Sequence, residues 1–312
     1  MTADKYSTHI GLVGMAALWG ASWPWGQVVA QSMPPLAAAS LRFILASFVL
    51  MLWLYRSGGT KALLELNGGQ WAGMACASAV GVLGYSIFFM LSLQNVPAGK
   101  AAMVVALNPV LTILFAVVLF HERVNLTMGV GVLLAVTGAL YALTDGALLA
   151  IKPGQSGMSE LLLLGCAGCW VGYTLIGRVV LATVDSLTTT AVTAAIGALL
   201  LFFASMLLEG PAAWLGLLNT PAAAWLSIVA LALGATALAY AWYLNGVKVL
   251  GAGSAAAYMA LVPLFGMLFS SLLLGESLTT SLLKGGTLAI SGMLLMNLGR
   301  ISMARGFGQK ND

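Results

Sequence analysis

Apolar runs of membrane-spanning length recur along the whole 312-residue chain and restrict its fold more than any motif does. They fall approximately at 10–30, 35–55, 70–93, 97–120 and 124–144, then at 159–181, 187–208, 221–244, 253–274 and 281–300. A bilayer core needs about 20 helical residues to cross it, so each run reads as a span and no length remains for a separate soluble domain. Turn residues part them: Met33-Pro34-Pro35, Ser57-Gly58-Gly59, Lys152-Pro153-Gly154, Gly210-Pro211 and Thr220-Pro221. The chain is 61% hydrophobic and 7% charged. A soluble protein carries roughly 25% charged residues, so this one cannot dress a water-facing surface.

The net charge of +4 comes from basic residues scattered singly, with no cluster to follow a phosphate backbone, so a nucleic-acid partner is not expected. They read instead as topology signals. With a cytoplasmic N-terminus, Lys5, Arg56, Lys61, Arg123, Arg178, Lys248, Arg300, Arg305 and Lys310 lie inside, and Lys100, Lys152 and Lys284 lie outside. Arg42 falls within a span. Nine against three is a positive-inside bias that puts both termini in the cytoplasm. The stretch from Ile10 to Ala30 could pass for a signal peptide, but it has a counterpart later in the chain and is read as retained.

That counterpart belongs to a duplication. At an offset of 154, Trp71 matches Trp225, Ala98-Gly99 matches Ala252-Gly253, Pro109 matches Pro263 and Glu122 matches Glu276. Gly131 and Gly138 match Gly285 and Gly292 in the same register, and at an offset of 151 Gly14, Trp19 and Gly26 match Gly165, Trp170 and Gly177. Matched Trp, Pro and Glu in one ungapped register are not chance in an apolar chain. Residues 1–150 and 151–312 are therefore expected to be two five-helix repeats of one membrane unit. Five is odd, so the second repeat enters with opposite orientation. The expected fold is an all-α integral membrane protein of ten transmembrane helices in two inverted-topology repeats, an architecture common among secondary transporters.

The segments "LWGASWPWGQVV" from Leu18, "PPLAAASLRFILA" from Pro34, "GKAAMVVALNPVLTILFAVVLFHERVN" from Gly99 and "GSAAAYMALVPLFGMLFSSLLLGESLT" from Gly253 resemble the EamA-type drug/metabolite transporter superfamily. Within it the chain looks most like the aromatic and neutral amino-acid exporters. The resemblance implies a central cavity formed largely by the first, third, fourth, sixth, eighth and ninth helices, in a bacterial inner membrane. One departure is His121-Glu122, where members often carry Gly-Glu.

Residues on one helix face recur at i, i+3, i+4 and i+7. Trp19, Ser22, Trp23 and Gly26 form such a stripe in the first span, and Trp170, Tyr173 and Gly177 form one in the sixth. Aromatic walls suit apolar solutes and can hold an ammonium by cation–π attraction. The alternative is an interfacial belt, against which the mid-span positions of Trp19 and Trp170 count. Tyr85 in the third span and Tyr240 in the eighth carry hydroxyls that need partners at depth. Asn108 and Tyr258 lie close before Pro109 and Pro263, where a missing donor loosens the helix. Substrate contact is thus expected from Trp19, Ser22, Tyr85, Asn108, Trp170, Tyr173, Tyr240 and Tyr258, with Pro109, Pro263, Glu122 and Glu276 as hinge or gate residues.

Arg42 and Lys100 could meet a substrate carboxylate or snorkel to headgroups, and snorkelling is the expectation. Cys166 and Cys169 form a C-x-x-C with no further ligand nearby, so no metal or cofactor is expected. An enzyme would need a nucleophile–base pair or paired acids at depth, and a channel a carbonyl filter or charged ring; neither pattern occurs. A sugar-phosphate carrier would need a basic centre. What remains is a transporter of small metabolites, with neutral or aromatic amino acids as the expected substrates and the lipid bilayer as its surroundings.

Overall fold

A computed structural model of the chain describes residues 2–120, 124–146, 157–250, 255 and 257–308. Among these residues the regular structure is helical, with no strand. The long helices are α1 (Thr2–Ser32), α2 (Pro35–Arg56), α3 (Gly68–Leu93), α4 (98–120), α5 (Leu126–Leu143), α6 (Gly157–Val180), α7 (Ser186–Leu208), α8 (Ala222–Leu250), α9 (Tyr258–Leu274) and α10 (Thr280–Gly308). Eight of them contain a stretch long and apolar enough to cross a bilayer: α2 to α8 and α10. α9 is a shorter apolar helix.

The helix starts carry local causes. Asn67 caps α3 in a reciprocal box with Gln70, Asn125 accepts from the Met128 N–H at the start of α5, and Asp185 accepts from Thr188 at the start of α7. α2 and α4 begin after Pro34 and Pro97, which offer no side-chain acceptor; a distant carboxylate serves each. Both Glu209 oxygens accept from the Leu36 and Ala37 amides at 2.8 Å, and those of Glu276 accept from Ala98 and Gly99 at 2.7 and 2.9 Å. Gly275, at φ 69°, ends α9 in the left-handed region and turns the chain so that Glu276 follows at once.

The duplication also appears as matched irregularities. α3 widens to a π-helix over Ala79–Gly84 and α8 over Ala230–Leu238. α4 tightens to a 3-10 helix over Met103–Ala106, and α9 opens with one over Tyr258–Leu261. Pro109 and Pro263 lack the N–H that the carbonyls four residues earlier would accept, so the turn before each proline closes on the tighter i+3 pattern.

The residues fall into two compact units, and neither is a sequence repeat. One holds Met1–Pro24, Pro97–Gly157 and Ala239–Asp312; the other holds Trp25–Val96 and Met158–Leu238. Each unit draws helices from both halves of the chain. The first unit is built on α5 lying antiparallel along α10, with Met128 against Gly299, Ala135 against Gly292 and Ala142 against Gly285. The second is built on α2 lying antiparallel along α7, tied at one end by Leu36 to Glu209 and further along by Ser40 to Ala198.

Candidate substrate site

Within the first unit, α1 packs on the later part of α8. Gly11 and Gly14 make room for Trp242: a Cβ on Gly14 would lie 2.6 Å from its ring. Leu12 fills the space over Gly246, and Asn245 donates to the Thr8 hydroxyl at 3.4 Å. This packing brings Trp19 to Tyr240 and Tyr243, with ring centroids 5.6 Å apart in both pairs. Tyr258 shares a hydrogen bond with the His9 ring at 2.5 Å.

Within the second unit, α6 packs on α3 in the corresponding way. Phe88 lies over Gly165, where an added Cβ would be 3.0 Å from the ring, and Tyr173 lies over Gly81 in the π-helical stretch, where an added Cβ would be 2.2 Å from the ring. Trp170 is 5.8 Å from Tyr85 and 6.2 Å from Tyr173, and Tyr85 stacks on Phe89 at 5.7 Å. Such ring pairs contribute about 0.5–1.5 kcal/mol each beyond the area they bury.

The two clusters are versions of one arrangement. Gly14 with Trp242 and Gly165 with Phe88 are the same contact under the two sequence registers, as are Trp19 with Tyr240 and Trp170 with Tyr85. Tyr240 lies one place beyond the residue matched to Tyr85. The first helix of each repeat therefore packs on the third helix of the other. Of the expected contact residues, the structure brings Trp19 and Tyr240 together in one unit, and Tyr85, Trp170 and Tyr173 in the other. Ser22 turns its hydroxyl to the Trp19 carbonyl at 2.6 Å, on its own helix. Asn108 is 8% exposed, and its Oδ1 has no hydrogen-bond partner among the described residues. Pro263 is buried at the head of the α-helical part of α9, Glu276 caps α4, and Glu122 lies outside the described residues.

Each of the two marginal cations has a protein partner. Lys100 pairs with Asp145, just past the end of α5. Arg42 turns inward: Nη2 donates to Thr236 Oγ1 at 3.3 Å, and its guanidinium lies 5.1 Å from the Phe43 ring centre. Thr236 lies in the π-helical stretch of α8. Thr236 and Glu209 join these contacts without having been singled out in the sequence. Tyr243, three residues from Tyr240 on one helix face, joins the Trp19 cluster.

Long apolar helices, paired across a duplication and lined in two places by aromatic clusters, define a polytopic membrane protein. Residues 7–144 and 157–298 each match the EamA-like transporter family, and the chain belongs to that family. It is 26% identical over 287 residues to the uncharacterized transporter YyaM of Bacillus subtilis, covering 92% of each chain. It is 27% identical over 290 residues to a probable amino-acid metabolite efflux pump of Salmonella typhimurium, covering 90% of this chain and 91% of that one. A solved crystal structure, 21% identical, superposes with a TM-score of 0.67 over 93% of this chain and 98% of its own. The protein is thus a membrane transporter of EamA type.

Proposed function

We propose that the chain exports neutral or aromatic amino acids by alternating access through an aromatic-lined cavity. In this reading ten spans form two inverted five-helix repeats in a bacterial inner membrane, with both termini cytoplasmic. The observation that carries it is the pair of matched aromatic clusters, around Trp19 and around Trp170. A zwitterion has no net charge, its ammonium can rest against aromatic faces, and its side chain can bury apolar area there. The relative named as an amino-acid metabolite efflux pump supports the same substrate class. The antiparallel course of α5 along α10, and of α2 along α7, supports inverted repeats, because these are matched helices. Pro109 and Pro263 serve as flexible points beside 3-10 turns, and Glu276, with Glu122 as its sequence match, as gate residues.

Counterflow of labelled amino acids in proteoliposomes tests the proposal. Trp19→Ala and Trp170→Ala are each expected to weaken exchange several-fold while leaving folded protein in the membrane. Wild-type protein that exchanges no amino acid, yet moves a lipophilic cation or a sugar, would refute the substrate class. Normal exchange by both variants would refute the role of the clusters.

A further inference from the structure

We infer that His9 and Tyr258 form a latch that closes one end of the solute path between α1 and α9 and opens in each transport cycle. The inference rests on the transporter class and not on the choice of substrate.

Within the first unit α1 meets α9 at two levels, Gly20 with Gly266 and His9 with Tyr258, so the two helices run in the same direction. At the first level the backbones touch: a Cβ on Gly20 would lie 2.4 Å from the Phe265 Cβ and 2.8 Å from the Gly266 nitrogen. Close packing of this kind is what holds helices together in lipid, and it leaves no room for a substitute contact. Gly266 in turn lies against α4, where a Cβ added to it would be 2.5 Å from that of Ala102. The second level lies eleven residues earlier on α1, a rise of roughly 16 Å. There the contact is one hydrogen bond, with His9 Nδ1 and the Tyr258 hydroxyl 2.5 Å apart. His9 is exposed and Tyr258 half-buried, so water can take the place of either partner. One level is a pivot, and the other is a releasable contact.

The two partners are held differently. Beside His9, Thr8 accepts from Asn245 of α8 at 3.4 Å, and Gly11 and Gly14 seat Trp242 of the same helix, so this end of α1 is fixed to α8. Tyr258 opens the 3-10 stretch Tyr258–Leu261, which ends with the Val262 amide bonding the Met259 carbonyl three residues back. Pro263 has no N–H to give that carbonyl, so the stretch is tied to the rest of α9 more weakly than a regular helical turn would be. The latch therefore joins a compliant end to a fixed one. Ala16 stands seven residues after His9 and four before Gly20, on the same face of α1, and it is 0% exposed. Parting of the two helices at this end would bare it. Trp19, with Tyr240 and Tyr243, stands next to Gly20 in the chain, so an opening that begins at His9 runs toward the level of the aromatic cluster. One hydrogen bond shifts a two-state balance roughly two- to tenfold, enough to favour closure and small enough to be overcome in every cycle.

The test uses purified full-length protein with Cys76, Cys166 and Cys169 replaced and Ala16→Cys added, labelled in detergent by a water-soluble thiol reagent in the absence of amino acid. Tyr258→Phe, which removes only the hydroxyl, is expected to speed labelling roughly two- to tenfold, and His9→Ala to do the same. A second arm needs no reporter at position 16. His9→Cys combined with Tyr258→Cys, bridged by a reducible bifunctional thiosulfonate and reconstituted, is expected to lose amino-acid exchange at least about tenfold and to regain it when the bridge is reduced. Labelling unchanged by both Tyr258→Phe and His9→Ala, or full exchange by the bridged protein, overturns the latch and leaves the substrate reading standing. Protein that exchanges no amino acid in any form, yet labels faster once the hydroxyl is gone, keeps the latch and overturns the substrate reading.

Discussion

Two helix pairs, α5 with α10 and α2 with α7, each join matched helices of the two repeats, but their seams differ in material. Along α5 and α10 the backbones touch: a Cβ on Gly138 would lie 2.3 Å from the Ala289 nitrogen, and one on Gly292 2.3 Å from that of Ala135. Gly131 and Gly138 are the register matches of Gly285 and Gly292, so the seam is built from the same glycines on both sides. Along α2 and α7 the buried residues include large side chains, Leu36, Phe43, Leu50 and Leu54 on one helix and Val192 and Leu201 on the other, beside small ones, with Ser40 reaching the Ala198 carbonyl at 3.5 Å. α2 has no glycine, and Gly197, the one in α7, faces Val82 of α3. In lipid no hydrophobic gain drives helices together, so small residues and close van der Waals packing do. The glycine seam takes that further than the α2–α7 pair and has less room to yield.

The sharpest way to break this contrast is a side chain in the glycine seam. Gly138→Val is expected to cost about 3 kcal/mol, the upper part of the usual range for overpacking, because the obstacle is backbone and cannot change rotamer. Thermal denaturation followed by size-exclusion chromatography in detergent reads it; a variant as stable as wild type would erase the difference between seams. Intermediate effects are expected from the carboxylate caps, one in each unit. Glu209→Ala and Glu276→Ala each remove two hydrogen bonds to a charged group and expose a helix start, a loss of roughly 2 kcal/mol. Their near equality is the point of comparison. A loss confined to Glu276 would mean that the two caps, alike in geometry, carry unequal loads. The smallest effect is expected at Ser40→Ala, which removes one long hydrogen bond and leaves the rest of the packing in place: under about 1 kcal/mol by the same assay.

Much of this organisation was legible in the sequence. Run length and the scarcity of charge define membrane helices, and the 154 register located the duplication that two separate family matches repeat. The aromatic stripes were legible as stripes, and Trp19, Tyr85, Trp170, Tyr173 and Tyr240 do cluster. Their division into two groups was not legible, because it depends on the first helix of one repeat packing against the third helix of the other. Glu209 gave no local signal at all: its partners, Leu36 and Ala37, lie 173 and 172 residues away. The contact of Arg42 with Thr236 was not legible either, since nothing near Arg42 in the chain foretells a hydroxyl on α8.

By itself, then, the sequence determined that this chain is helical, embedded in lipid and built twice. The first two follow from transfer free energies and hydrogen-bond satisfaction summed over each segment, the third from residues matched at a fixed offset, and none needs knowledge of neighbours. Only the tertiary structure decided which helices meet, which units they form and where each polar group finds its partner. Helices of similar apolarity can pair in many ways in lipid, and the choice among them lies in contacts between residues far apart in the chain: Gly138 against Ala289, Glu276 against Ala98, Arg42 against Thr236.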